Sequence, residues 1–291
     1  LACSKYFTVT QLKFFYFGKN LSAMSRNLYL VPHDLTEVGN TALDYALFLG
    51  EHVNTEVMII HLVDNKSKIA AAEKKIDDII DSKRIPAKVE MSRLVVVGDI
   101  FTDISKIANR EHAQLILMGT HGAKGFQKLT GSYAMKVITS CDIPFIIVQK
   151  ETKHVDIKNI VVPIDLTKES LQIVSSAGDL ARIFDATVHV IGEKHADEGL
   201  SQQTKNRVLL IRNKYDEKGA SCQVNLLKPG GAYAKKVMQY VQENQINLIA
   251  IAYHSESLLP QFDTFAQSLI TNEMKLPCMI IAAKPSGNLY F

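Results

Sequence analysis

Short runs of consecutive apolar residues alternate along the chain with longer stretches whose apolar positions recur at three- and four-residue spacing. The runs Leu28–Val31, Val57–Val63, Val89–Val97, Leu115–Met118 and Phe145–Val148 predict strands. Asn40–Glu51, Ser67–Ser82, Ile100–Glu111 and Ser132–Thr139, lying between them, predict helices. Ala42, Ala46 and Leu49 fall on one helix face, as do Ile76, Ile79 and Ile80. Apart from Val89–Val97, which also carries Glu90, Ser92 and Arg93, the strand runs are largely apolar and do not alternate, which is the pattern of strands covered on both faces by helices. Five strands joined by helices predict an α/β fold with a parallel sheet and right-handed crossovers.

The same order is then written a second time. Val31-Pro32-His33-Asp34-Leu35-Thr36 returns as Val162-Pro163-Ile164-Asp165-Leu166-Thr167, an offset of 131. Leu115–Met118 returns as Leu248–Ile251, and His121 as His254, at an offset of 133; Ile143–Val148 returns as Leu276–Ile281. Second-copy strands are expected at Ile160–Pro163, Thr187–Ile191, Cys222–Leu227, Leu248–Ala252 and Cys278–Ala282. The chain is therefore expected to be a tandem duplication, with domains at 27–150 and 157–284 joined through the polar stretch Lys150–Lys158. The last strand of each copy, Phe145–Val148 and Cys278–Ala282, is a candidate edge for pairing. Fusion makes an internal pseudo-dimer, and further association would give a homodimer of tandem chains.

Composition narrows the class. With 291 residues, 47% hydrophobic and 22% charged, the chain can bury two cores, and no stretch is long and apolar enough to span a membrane. The net charge of +3 is unevenly spread: residues 1–26 carry Lys5, Lys13, Lys19 and Arg26 without an acid, so the remainder sums to about −1. The body thus has no basic excess to favour nucleic acid. Four cysteines without a CxxC spacing read as small buried hydrophobes, and a cytoplasmic setting is expected. The aromatic leader is interrupted by Lys13 and makes a poor signal peptide; it reads as an extension outside the fold, as do Gly287–Phe291.

Ligands of open α/β sheets bind beyond the carboxyl ends of the strands. Two first-copy segments fall there: His33–Thr36 after the first strand, and Gly119-Thr120-His121-Gly122-Ala123-Lys124-Gly125, continuing to Gly131-Ser132, after the fourth. Glycine amides can cradle anionic oxygens, a helix start at Ser132 offers further N–H groups, and Lys124 and Lys128 add charge. Asp34 is suited to accept hydrogen bonds from a ribose or to assist a divalent cation. The alternative reading is local: Gly119 and Gly122 serving a tight turn, Asp34 capping the first helix, His121 a loop hydrogen-bonder, and His33 facing out from its loop.

Taken together, the duplication, the Gly119-Gly122-Gly131-Ser132 loop and Asp34 resemble the universal stress protein family across residues 27–284. Its ATP-binding members carry Gly-x2-Gly-x9-Gly-Ser/Thr and an Asp after the first strand. The resemblance implies two tandem five-stranded sandwich domains of the Rossmann-like, adenine-nucleotide alpha-hydrolase type. It implies ATP, with Mg²⁺, as cofactor. Pro32 and Leu62 would line the adenine, Met118 would flank it, Gly98 would lie near the ribose, and Gly122, Gly131, Ser132 and Tyr133 would surround the phosphates. Gly119 and His121 belong to the same implied set. One departure is plain: eight residues separate Gly122 from Gly131, one fewer than the family pattern.

The second copy departs further. Asp165 and His254 remain, but Ala252 and Ser255 replace the first two loop glycines, and Phe262-Asp263-Thr264-Phe265 occupies the approach to the next helix. Gly230 and Gly231 leave room for a cavity without an amide cradle for a triphosphate. No nucleophile elbow, HExxH motif or placed carboxylate pair suggests catalysis. The expected function is nucleotide-dependent regulation in a stress response; a nucleotide-independent interaction protein and a weak ATPase are the alternatives.

Overall fold

A computed structural model describes residues 27–120, 131–254 and 261–284, without the side chains of 131–133, 254 and 261–264. The chain divides into two compact units, residues 1–119 and 120–291.

The first unit holds β1 (Leu28–Pro32), α1 (Glu37–Gly50), β2 (Thr55–Val63), α2 (Ile69–Asp81), β3 (Val89–Val97), α3 (Ile100–Arg110) and β4 (Leu115–Thr120). Its strands run in the order β3-β2-β1-β4, all parallel. Register is fixed by Pro32 opposite Ile60 and Leu62 opposite Val96. Leu28, Leu30, Met58 and Ile59 are fully buried in the central strands, while β3, at the end of the strand order, is buried only at Val89, Ser92 and Val95. Helix α1 buries Ala42, Ala46 and Leu49, and α2 buries Ala72, Ile76 and Ile80. The expected faces are thus found, except that Ile79 lies at the margin of its face.

The second unit holds α4 (Gly131–Thr139), β5 (Phe145–Gln149), β6 (Asn159–Pro163), α5 (Gln172–Phe184), β7 (Thr187–Glu193), α6 (Glu198–Lys218), β8 (Ser221–Leu227), α7 (Tyr233–Glu243), β9 (Leu248–His254), α8 (Gln261–Ile270) and β10 (Cys278–Ala283). Its strand order is β5-β10-β9-β6-β7-β8. All ladders are parallel except that between β10 and β5, where Cys278 faces Ile147 and Ile280 faces Phe145. The sheet is therefore mostly, not wholly, parallel. The two strands expected to be edges pair with each other, which is how β5 comes to be grouped with the second copy. Since β10 also pairs with β9, both its edges are closed.

The connection after β5 is pinned. Gln149 donates through Nε2 to Asn272 O (2.9 Å), and Thr152 Oγ1 donates to Lys275 O (2.8 Å). Gln149 and Thr152 are buried, and each has its polar side chain hydrogen-bonded, so the polar stretch costs little to hold.

Candidate functional site

In the first unit the loop after β1 starts helix α1. Thr36 donates its N–H (3.1 Å) and its hydroxyl (2.5 Å) to Asp34 Oδ1, and its own Oγ1 accepts Gly39 N–H (3.4 Å). Thr36 is therefore the N-cap, Asp34 braces it, and the helix begins at Glu37, ahead of the Asn40 start expected from periodicity. Asp34 is exposed, and no hydrogen bond involves its second oxygen among the described residues.

His33 does not face out. It is 3% exposed, with Nδ1 accepting Leu35 N–H (3.0 Å) and Nε2 3.2 Å from Asn40 Oδ1. The first contact leaves the proton on Nε2, which donates to Asn40. His61 Nδ1 in turn donates to His33 O at 2.7 Å. Burial holds the His33 imidazole below its ordinary pKa, so it stays neutral at neutral pH.

The strand ends bring Pro32, Leu62, Gly98 and Gly119 to one edge of the parallel sheet, and two of the glycines have a packing reason to be there. A Cβ on Gly119 would lie 2.4 Å from the carbonyl oxygen of Val38, in the first turn of α1. A Cβ on Gly98 would lie 2.7 Å from Asp103 Oδ2, which accepts Asp99 N–H (2.8 Å), and 3.4 Å from Leu62 Cδ2. Met118 is 1% exposed and belongs to the core of β4. His121, Gly122, Lys124 and Lys128 lie outside the described residues, as do the side chains of Ser132 and Tyr133. Helix α4 begins at Gly131, which makes Ser132 its second residue. Among the described residues no group of three or more His, Cys, Asp or Glu could hold a metal.

The second unit repeats the brace. Thr167 donates its N–H (2.7 Å) and hydroxyl (2.6 Å) to Asp165 Oδ1, and Ser170 N–H donates to Thr167 Oγ1 (3.2 Å). The turn after the brace differs. Thr36 O accepts the α-helical bond from Asn40 N–H (3.1 Å), whereas Thr167 O is taken by Ser170 Oγ (2.9 Å) and Arg207 Nη1 (2.5 Å). The turn Glu169–Leu171 is accordingly a 3₁₀ helix, and α5 starts only at Gln172.

Beyond these strand ends lies a cavity of about 770 Å³, lined by Pro163, Ile164, Asp165, Arg207, Tyr233 and Phe265 among others. Tyr233 donates to Ile164 O and Ile191 O, and its ring stacks on Phe265 at 5.5 Å and 11°. Lys236 pairs with Glu193 at the cavity's border. Arg207 Nε is buried with no partner among the described residues. Gly230 and Gly231 had signalled room here. Arg207 had no sequence signal, lying on a polar helix 40 residues from the carbonyl it meets. Phe265 lies inside α8, which begins at Gln261 and so before the expected position.

Cys141 and Cys278 are buried, and burial pushes the Cys278 thiol up; Cys222 is half-buried and pushed up to about 11. None is set up as a nucleophile. No helix among the described residues is long and apolar enough to cross a membrane.

The comparisons with known proteins agree with this architecture. The chain is 26% identical over 173 residues to a universal stress protein of Methanocaldococcus jannaschii, a match covering 52% of this chain and 99% of that protein. Its fold is similar to the crystal structure of a universal stress protein from Archaeoglobus fulgidus, with a TM-score of 0.66 and 18% identity over 89% of this chain and 99% of that one. It is also similar to a protein of unknown function from Pseudomonas aeruginosa, with a TM-score of 0.59 and 15% identity over 89% and 93% of the two chains. The model of the universal stress protein family matches twice, at residues 29–149 and 156–280. With one match on each copy of the repeated α/β pattern, the chain belongs to the universal stress protein family.

Proposed function

We propose that the chain is an adenine-nucleotide-binding regulatory module of a stress response, with ATP and its Mg²⁺ held by the first copy, residues 27–150. One observation carries this reading. Asp34 stands exposed at the carboxyl end of β1, with one oxygen held by Thr36 and no hydrogen bond to the other among the described residues, which supports a role in accepting a ligand's hydrogen bond there. Pro32 and Leu62 offer apolar surface at the same strand ends, and the placing of Gly98 near a ribose rests on the family resemblance. The phosphate side rests on the family resemblance of Gly122, Gly131, Ser132 and Tyr133. Regulation then requires that ATP bind one arrangement of the loop more tightly than another, so that a partner reads the difference. No described residue is placed to activate water, and we assign binding, not hydrolysis, as the primary activity.

Titration of the folded chain with ATP and Mg²⁺ tests the reading. Saturable binding is expected, lost on changing Gly122 to Trp and weakened by Asp34→Ala. No binding at millimolar ATP sinks it. The antiparallel pairing of β5 with β10 favours a second reading, in which duplication serves to build an interaction module irrespective of ligand. A cytoplasmic homodimer of tandem chains fits both readings, and since both edges of β10 are closed, such a dimer forms through another surface.

A further inference from the structure

The cavity at the ends of β6, β7 and β9 is left unused by the nucleotide reading. Three positions of the first copy are replaced in the second. Where the first copy has His33, Asn40 and His61, linked by hydrogen bonds, the second has Ile164, Leu171 and Gly192. The ladder pairs Pro32 with Ile60 and Pro163 with Ile191, so His61 and Gly192 occupy the same strand position. An imidazole is deleted there, and a Cβ on Gly192 would find its nearest neighbour only at 3.4 Å.

The chemistry of the walls selects a ligand. The lining is chiefly apolar, with Ala232, Ala234, Ile251 and Ala252 beside the stacked Tyr233–Phe265 pair. Such a pair presents a flat face, on which a planar ring packs well. The Tyr233 hydroxyl already donates to two backbone carbonyls, and Glu193 is neutralised by Lys236. The remaining charged groups are Arg207 and the carboxylates of Asp165 and Glu169, which are close enough to act on it. Two carboxylates against one guanidinium leave no surplus positive charge for an anion. A buried, uncompensated charge costs several kcal/mol, so a triphosphate or a carboxylate is disfavoured. Yet the Nε–H of Arg207 is buried with no partner among the described residues, and a buried donor without an acceptor is costly. An acceptor on an uncharged molecule removes that cost without adding charge. Asp165, whose Oδ1 is held by Thr167, faces the same pocket and suits a donor on the same ligand.

We propose that the second copy's cavity binds an uncharged, flat, ring-bearing molecule with adjacent donor and acceptor groups, the acceptor meeting Arg207 and the donor Asp165. The two halves of the chain then take different ligands, and occupancy of the second does not require a nucleotide.

The test uses the full chain and three probes: isoquinolinone, an uncharged bicyclic lactam; naphthoate, an anion of similar size; and ATP with Mg²⁺. Protein-observed NMR or calorimetry is expected to show saturable binding of the lactam, with naphthoate at least tenfold weaker and ATP unable to displace the lactam. Arg207→Met keeps an apolar stem but removes the donor, and is expected to weaken the lactam at least tenfold. Ala234→Trp fills the cavity from α7 and is expected to abolish binding while circular dichroism shows an unchanged fold. Because it leaves Arg207 in place, this second variant keeps the test decisive if Arg207→Met fails to fold. Failure of the lactam to saturate, naphthoate binding equally well, displacement by ATP, or unweakened lactam binding in a folded Ala234→Trp chain would each overturn the proposal.

Discussion

The two copies begin their first helices with the same device and then part. In each, an Asp after the first strand accepts both the N–H and the hydroxyl of a Thr two residues on, and that Thr caps the helical turn beyond it. In the first copy the freed Thr36 carbonyl enters an α-helix that presses its Val38 carbonyl against Gly119. In the second, Ala252 stands at the position of Gly119, Arg207 and Ser170 take the Thr167 carbonyl, and the first turn is 3₁₀. A side chain stands where the first copy's backbones come closest, and the first turn after the brace is 3₁₀ where the first copy's is α-helical. The hydrogen-bonded set of His33, Asn40 and His61 gives way to Ile164, Leu171 and Gly192, with a cavity beyond. Duplication thus preserved the frame and released the strand ends, where ligands bind, to diverge.

The sharpest way to break this comparison is at its closest contact. Gly119→Leu is expected to destabilise the first unit by about 3 kcal/mol, since the clash is with backbone that cannot rotate away. Ala252→Gly in the second unit should cost about 1 kcal/mol or less. Urea denaturation of the two variants separates them; equal costs would mean that the approach of α1 to β4 is not what distinguishes the copies.

Next in size is the buried histidine. His33→Ala strips the partners from Leu35 N–H and Asn40 Oδ1 and is expected to cost about 2 kcal/mol by denaturant titration. The same residue supplies a pH dependence. Its folded pKa lies below the unfolded value, so its contribution is fully present above about pH 6.5 and is lost as pH falls toward the folded pKa. The loss proceeds at up to about 1.4 kcal/mol per pH unit. His189 is likewise held down by burial, beside Tyr240 at 3.0 Å, so the second unit should show its own acid-side loss. Stability curves of His33→Gln and His189→Gln between pH 7 and 5 should each be flatter than that of the parent chain. Curves parallel to the parent would remove both histidines from the account.

The smallest expected effect is at the caps. Thr36→Val removes the hydroxyl that accepts Gly39 N–H and should cost about 1 kcal/mol. Thr167→Val should cost a similar amount, because Ser170 N–H loses the same partner. A much larger cost at Thr167 would show that its contact with Arg207 depends on the cap.

How far the sequence carried this picture depends on which forces act locally. The central strands were legible because nearly unbroken apolar runs have few uses other than a sheet covered on both sides; Leu115–Met118 falls inside β4 and Phe145–Val148 inside β5. The start of α1 was not, because the Asp34–Thr36 brace is made by polar residues that carry no periodicity. The burial of His33 was hidden for a related reason: its partners, Asn40 and the Leu35 amide, satisfy it only once the loop is folded. The pairing of β5 with β10 was expected from the duplication, yet its antiparallel sense is a tertiary fact. Arg207 is the clearest case of what sequence cannot disclose, since its role is set by a contact across the fold. In the glycine loop the spacing of Gly122, Gly131 and Ser132 reads as chemistry, while Gly98 and Gly119 also answer to packing.

The central claim is that one copy is a nucleotide site and the other is not. The most direct measurement is the stoichiometry of ATP binding to the intact chain in the presence of Mg²⁺, by calorimetry with an active-fraction control. One ATP per chain, lost on changing Gly122 to Trp and unaffected by Ala234→Trp, is the predicted result. Two equivalent ATP molecules per chain, or one that survives the change at Gly122 and is lost with Ala234→Trp, would contradict it.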